Sequence, residues 1–456
     1  MKKIRQISVT NLFGIFNHTI PLNIDDRVTI IHSPNGFGKT AILRLINELF
    51  SQRNRVLRIT PFNELQIDFE DGSHFWVTRS FENGPENRAK KDSAPKITLY
   101  FRGDDGERSF SLKASPLRAL REAFPLSMID RVIPEADRIG GESWRISPTG
   151  EILSFEEMVE RYSDHLMAVL GSSVAHEKEP EWLREIRGSV PIRFIETQRL
   201  LNPRRIGGKS EYERFSSMAS TVTMYSEELA EIIKTKLAES TALSQSLDRT
   251  FPRRLVSSTT KQSNITETEL RNKLAELETK RANLMAAGLV DRDDSDAVQV
   301  TDRIDSNTKA VLSVYIEDVE KKLGIFDEVA NKIDLLKRII NKRFLYKKMA
   351  ISRRDGFVFT SSNGARLSLE SLSSGEQHEL VLFYELLFKA SPNSLILIDE
   401  PEISLHVVWQ EQFLKDVQEI TQLANVDALI ATHSPDIING RRDLVVQLEG
   451  PNNGGL

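Results

Sequence analysis

The stretch Ser33-Pro34-Asn35-Gly36-Phe37-Gly38-Lys39-Thr40 follows the apolar run 27–32 and precedes Ile42, Leu43, Leu45, Ile46 and Phe50, which are spaced as one face of a helix. A Gly-rich turn between a strand and a helix is the context a phosphate-binding loop needs. Its consecutive N–H groups form an anion nest, and the helix contributes the positive end of its dipole. Asn35, Gly36 and Gly38 shape the tight path. Lys39 is placed to reach the β- and γ-phosphates, and the Thr40 hydroxyl is placed to ligate Mg²⁺. Ser33 stands at the first position, where the motif has glycine, so the first turn is expected to differ slightly. Alone, the loop predicts nucleotide binding on an α/β fold.

Moving outward, the partner half lies far downstream. Leu395-Ile396-Leu397-Ile398-Asp399-Glu400 reads as a buried strand ending in two carboxylates. Asp399 is suited to hold Mg²⁺, directly or through water. Glu400 is suited to polarise an attacking water as general base. An incidental acidic strand end is the plain alternative, and the loop upstream argues against it. Ahead of this strand, Leu372-Ser373-Ser374-Gly375-Glu376 opens a helix; read by itself it is a serine cap with an acidic first turn. Gln198 follows a strand at 193–196, and His433 follows one at 428–431. A lone Gln or His is most often structural, but here each stands at a strand end in a fixed order.

Taken in this order, the segments resemble the ABC ATPase superfamily in its soluble, SMC-like branch. The resemblance implies an α/β ABC-type head with a mixed sheet and an inserted helical or coiled-coil hairpin, binding ATP with Mg²⁺. It implies that Ser373 and Gly375 of one subunit contact the γ-phosphate held by a second. It further implies that Gln198 touches Mg²⁺ and the lytic water, and that His433 hydrogen-bonds the γ-phosphate. Two departures stand out: Ser374 occupies a usual glycine position, and His406 replaces the aspartate that ends the usual D-loop. The second puts in doubt the contact that this loop usually makes between two subunits.

Composition bounds the rest. The 456 residues allow two or three domains, and 39% apolar with 28% charged residues suits a soluble chain with a sizeable core. A formal charge of −5 gives no global basic field, so any nucleic-acid contact must be local. The absence of cysteine removes disulfides, thiolate metal sites and cysteine nucleophiles. No signal-peptide core and no run near the roughly 18–20 apolar residues of a membrane span is present, so a cytoplasmic protein with no membrane contact is expected.

Three segments are expected: residues 1–205 as the N-terminal half of the ATPase, 206–354 as the helical insertion, and 355–456 as the C-terminal half. The first carries β-rich runs at 4–10, 27–32, 65–69, 74–81, 97–101 and 110–113, then a mainly helical stretch over 115–189. The insertion carries Leu270, Leu274, Leu277 and Leu284, then Leu312 to Phe344, at coiled-coil steps interrupted by Lys337, with a loop tip at 291–305. A protruding hairpin and ordinary packed helices both fit this spacing. Gly324 weakens a straight rod.

Residues 11–16, 194–200, 372–380 and 399–406 resemble the ATPase subunits (AriA) of the PARIS anti-phage system. That family implies a homo-oligomeric scaffold, at least a dimer, holding a separate TOPRIM-type (DUF4435) nuclease, AriB. It implies release of the nuclease on sensing a phage anti-restriction or DNA-mimic protein, and abortive infection. The sequence ends at Leu456 with no metal-binding carboxylate domain after His433, so the output is expected in another protein. A Septu-type ATPase paired with an HNH nuclease shares the same motifs. A RecF- or SMC-like repair ATPase is a reading of another class. It draws on a helix expected over 332–354, where nine Lys or Arg face Asp334 alone. Such a stripe could grip DNA phosphates or an acidic protein, or be a solvated face. A transporter ATPase is disfavoured by the long insertion.

Overall fold

The computed structural model describes residues 2–51, 54–80, 95–112, 136–146, 151–155, 179–196, 221–260, 265–290 and 306–450, with the isolated positions 126, 133 and 158. Gln198 and the expected loop tip at 291–305 lie outside these residues. The first 112 residues supply seven strands: β1 Ile4–Leu12, β2 Phe16–Pro21, β3 Val28–His32, β4 Glu64–Phe69, β5 His74–Ser80, β6 Lys96–Gly103 and β7 Gly106–Leu112. All except β3 form one antiparallel sheet in the order β2-β1-β4-β5-β6-β7. Strand β3 leaves it and joins β11 Ile192–Ile195, β15 Leu395–Asp399, β16 Asp427–Thr432 and β17 Val445–Gln447. This second sheet is parallel, in the order β11-β15-β16-β3-β17. The order places the strand before the Gly-rich turn beside the one ending at Thr432, and that strand beside the one ending at Asp399.

Both faces of the parallel sheet are covered, which explains its near-continuous apolar strands. Ile31, Leu395, Leu397, Leu429 and Ala431 face a core shared with the antiparallel sheet and with helix α1, Lys39–Phe50. Ile30, Ile396, Ile398, Ala428 and Ile430 face the opposite core. The period-2 alternation of one strand therefore joins two hydrophobic layers. Helix α1 buries Ile42, Leu43, Leu45, Ile46, Leu49 and Phe50, the face expected from its spacing. The short helix α2, Arg55–Ile59, follows it, and α3, Glu181–Ser189, precedes β11. Arg187 of α3 is buried, and its Nε donates to the Leu49 carbonyl at 3.0 Å, satisfying the last turn of α1.

Within 115–189, helix α3 meets the helical expectation, whereas the described residues of 136–154 depart from it. Strands β8 Ala136–Gly140, β9 Ser143–Ile146 and β10 Glu151–Ser154 form a three-stranded antiparallel sheet. Gly140 and Gly141, both at positive φ, make the first turn, and Trp144 packs on Phe155 with ring centroids 6.2 Å apart. Strands this short show too few alternations to be separated from helix by periodicity.

The inserted helices are α4 Thr221–Thr260, α5 Glu267–Ala286, α6 Ser306–Gly324 and α7 Asp327–Arg343. The heptad residues are buried or, for Leu274, partly buried. They do not form a two-helix hairpin. Helix α6 packs against both α4 and α5, so Leu270, Leu277 and Leu284 share one core with Leu312, Ile316, Val319, Leu323, Leu229 and Ile233. Lys337 interrupts the seam because its Nζ donates to the Ala286 carbonyl at the end of α5, 3.2 Å away.

The helix expected over 332–354 is shorter. It ends at Arg343, and β12 Lys347–Ser352 pairs with β13 Gly356–Ser361, which pairs with β14 Arg366–Leu367. Its basic residues are not a free stripe. Lys332 pairs with Glu328 at 2.7 Å, Lys347 with Glu376 at 2.6 Å, and Arg338 with Glu419. Arg343 is buried between Glu379 and Asp416 with its guanidinium 4.7 Å from the Phe383 ring centroid. Helix α8, Ser374–Tyr384, ends in a π-turn over Glu385–Lys389 and leads to β15; α9, Val407–Ala424, leads to β16. The whole is an α/β fold in which a parallel sheet, covered on both faces, packs on an antiparallel sheet and carries a helical insertion that shares its core.

Candidate functional site

The Gly-rich turn is set by two left-handed glycines, Gly36 at φ 91° and Gly38 at φ 88°. A Cβ on Gly38 would stand 2.6 Å from Leu12 Cδ2, so backbone and neighbour both demand glycine. Ser33 is fully buried and is not among the positive-φ residues. Serine therefore fits the first position without strain. The Lys39 ammonium donates to the Ser33 carbonyl at 2.8 Å and the Pro34 carbonyl at 3.3 Å, and lies 3.6 Å from Glu400 Oε1.

Strands β15 and β16 deliver the facing side chains. The Thr40 hydroxyl lies 2.9 and 3.0 Å from the two Asp399 oxygens. Burial pushes the Asp399 carboxyl up, against the Thr40 hydrogen bond and the Arg44 and Lys39 charges, which favour ionisation. A buried carboxylate beside a hydroxyl is a hard oxygen pair that suits Mg²⁺, and a cation there would relieve the cost of that burial. Glu400 adopts a left-handed backbone, φ 44° and ψ 59°, rare for a non-glycine residue. Its N–H is held by the Ala431 carbonyl at 2.9 Å, which fixes the bend. The bend turns its side chain to Lys39 on one side and to His433 Nδ1 on the other, 2.5 Å from Oε2. Burial raises the Glu400 pKa, and the neighbouring Glu402 carboxyl raises it further; His433 and Lys39 oppose both. Such a carboxylate is a stronger base than an exposed one.

The stretch 372–376 stands apart from this cluster. Ser373 is exposed and caps α8: its hydroxyl accepts from the Glu376 N–H at 3.3 Å, and the Glu376 carboxylate accepts from the Ser373 N–H at 2.7 Å. Ser374 and Gly375 are the first residues of the helix. Among the described residues Ser373 shows side-chain hydrogen bonds only with Glu376, leaving its outer face free. His406 likewise caps a helix, its Nδ1 accepting from the Val408 N–H at 3.4 Å. The residue standing at the usual aspartate position has a local structural role.

Sequence reasoning assigned nothing to Glu402, Thr432, Ser434 and Gln410, which are all buried. Glu402 was legible only as the second acid of Asp-Glu-Pro-Glu. Phe13 was passed over too. It holds φ 54° in the turn after β1, is 45% exposed, and its Cε2 lies 3.4 Å from where a Gly38 Cβ would be.

Comparison with known proteins gives three findings. The AAA ATPase domain family (AAA_15) matches residues 176–438. The chain is 39% identical over 127 residues to protein ea59 of Escherichia phage lambda, spanning 27% of this chain and 24% of that protein. It thus covers about a quarter of the length of that relative. Among solved structures it is similar to the Smc head domain of Pyrococcus furiosus bound to the C-terminal domain of ScpA, with 13% identity, 98% and 93% of the chains covered, and a TM-score of 0.32. The SMC head domain of Thermotoga maritima gives 12% identity, 96% and 91% coverage, and a TM-score of 0.31.

Proposed function

Because the chain belongs to the AAA ATPase domain family, we propose that it hydrolyses ATP as a switch, at a site divided between two copies of itself. The observation that carries this reading is the convergence of Lys39, Thr40, Asp399, Glu400 and His433 through contacts of 2.5 to 3.6 Å. In this reading the N–H groups of Asn35, Gly36 and Gly38 and the Lys39 ammonium receive the phosphates. Thr40 and Asp399, with Gln198, hold Mg²⁺, which when bound screens the phosphate charge. Glu400 takes a proton from the attacking water, and His433 donates to the γ-phosphate. Ser373 and Gly375 of a second copy complete the site with the N-terminus of α8. Phe13 offers an exposed ring at the rim for the base.

Replacing Lys39 by Ala should abolish nucleotide binding or turnover, whereas Glu400→Gln should bind ATP and fail to release it. Undiminished ATP hydrolysis by either purified variant would overturn the assignment.

At the finer level we infer a sensor and scaffold subunit of an anti-phage system. In this reading it holds a separate TOPRIM-type nuclease and frees it on meeting a phage anti-restriction protein. The supporting features are the phrases at 11–16, 194–200, 372–380 and 399–406. The repair reading is weakened, since four of its nine basic residues, Lys332, Arg338, Arg343 and Lys347, are already paired with acids of this chain. A nuclease gene beside this one, and a nuclease that co-purifies and is released by phage infection, test the finer reading. DNA-stimulated hydrolysis with no such partner would refute it.

A further inference from the structure

Glu402 has no part in the scheme above, yet its side chain is only 5% exposed. Its Oε1 collects donors from a single short segment. The Thr432 hydroxyl donates at 2.5 Å, the His433 N–H at 2.9 Å and the Ser434 N–H at 3.1 Å. The His433 Nδ1 lies 3.1 Å from the same oxygen and 2.5 Å from Glu400 Oε2. Gln410 braces both sides, donating to the Leu405 carbonyl at 3.1 Å and accepting from the Ser434 hydroxyl at 2.8 Å. The other oxygen, Glu402 Oε2, is buried with no hydrogen-bond partner among the described residues.

Burying a carboxylate with one bare oxygen is unfavourable, and an apolar side chain would avoid that cost. What the carboxylate achieves is geometric. It gathers three donors from 432–434 at one point, and the His433 ring is the part of that segment left exposed, at 46% of its side chain. We propose that Glu402 is a positioning residue: it clamps the backbone of 432–434 so that the His433 imidazole stands against Glu400. This inference rests on the roles given to Glu400 and His433 above. The clamp requires an acceptor oxygen at the right reach, and it does not require the charge. A cavity of about 380 Å³, lined by Glu402, Ile403, Gln410, His433, Ser434 and Pro435, lies beside it. The loosened segment of a variant would have room to move there.

The test compares ATP turnover of full-length wild type, Glu402→Gln, Glu402→Asp, His433→Ala and the Glu402→Asp/His433→Ala pair, each checked for folding by thermal unfolding. Gln keeps both the acceptor and its reach, so turnover should stay within about threefold. Asp keeps the charge but is shorter by one methylene, so kcat should fall about 10- to 100-fold with little change in KM, as for a misplaced catalytic group. The double variant should be no slower than His433→Ala, because Glu402 acts through that ring. Loss in Gln with retention in Asp would show a role of charge and overturn the proposal. Multiplying effects of Asp and His433→Ala would overturn it as well. Glu400→Gln separates the two levels: if it still hydrolyses ATP, the site assignment fails, and if it does not, any failure is the clamp's alone.

Discussion

The Thr40 hydroxyl rests 2.9 and 3.0 Å from the two Asp399 oxygens, although 359 positions separate the residues in sequence. Thr40 lies in the first turn of α1, and Asp399 closes β15. The contact exists because β3 and β15 flank β16 in one parallel sheet and both end on the same edge. In such sheets ligands bind beyond the C-terminal strand ends. Thr40→Val is nearly isosteric and removes the hydroxyl facing Asp399. Turnover at saturating ATP should fall about 100-fold or more, with a higher Mg²⁺ concentration needed for half-maximal rate. A Mg²⁺ titration of initial rates checks it, and an unchanged titration curve would exclude Thr40 from the metal site.

A divided site predicts complementation in trans. Lys39→Ala should be inactive through its own nucleotide loop, and Ser373→Ala through the face it offers to a partner. In a mixture, the loop of the Ser373→Ala protein meets the intact Ser373 of the Lys39→Ala protein, so one site per mixed dimer is whole. Mixing the two inactive proteins should therefore restore measurable hydrolysis. Ser373→Ala also removes a helix cap, a loss of about 1 kcal/mol, so its folding should be verified by its melting curve. A mixture as inactive as its components would argue for sites complete within one chain.

Gly38 joins backbone strain to a steric limit. Gly38→Ala would place a residue with a side chain at φ 88° and a Cβ 2.6 Å from Leu12 Cδ2. Strain of this kind costs about 1–3 kcal/mol. Melting temperature and nucleotide affinity should both fall. A Cβ on Gly36 would meet nothing within 4 Å, so Gly36→Ala should affect stability less.

How far the sequence revealed all this depends on the physics of each part. The Gly-rich turn, the strand ending at Asp399 and the heptad leucines were legible because each is a local pattern: a glycine pair, an apolar run, a repeat. The strands over 136–154 were not, being too short to display a period. Arg338 and Arg343 looked like members of a stripe because their partners, Glu419, Glu379 and Asp416, lie in distant helices. The clamp at Glu402 was hidden for a similar reason. Two of its donors are the backbone N–H groups of 433 and 434, which carry no sequence signature at all.

The N-terminal strand offers a pH test. The Lys2 ammonium pairs with Asp71 and donates to the Ser73 hydroxyl at 2.8 Å, tying the start of β1 to the β4–β5 turn. Burial alone would raise the Asp71 carboxyl, but the hydrogen bonds from Lys2 and Ser73 outweigh it and bring it down to about 2. A carboxyl depressed on folding adds stability above its unfolded pKa of about 4, and loses that contribution as pH falls toward 2. Its side chain is 51% exposed, so solvent screening keeps the effect small. Asp71→Asn should therefore lower stability slightly at pH 7 and flatten the acid limb of the unfolding profile between about pH 4 and 2.

Arg343 gives the largest expected change in stability. Its guanidinium is buried against Glu379, which is fully enclosed, and against Asp416. Burial lowers the Arg343 pKa and raises that of Asp416, while their mutual charge opposes both shifts. Removing the cation alone strands two acids among Phe383 and its neighbours, a cost of about 3–5 kcal/mol for an unpaired buried charge. Arg343→Met should therefore melt well below wild type. Replacing all three together, as Arg343→Met with Glu379→Gln and Asp416→Asn, removes every formal charge and should recover much of the loss. Because α7 and α9 meet through this pair, the single variant should also loosen the packing of α9, which carries Gln410. Its turnover should fall at temperatures where the protein is still folded, and chemical denaturation with parallel rate measurements would detect this. An Arg343→Met protein as stable as wild type would mean that these acids reach water or other partners instead.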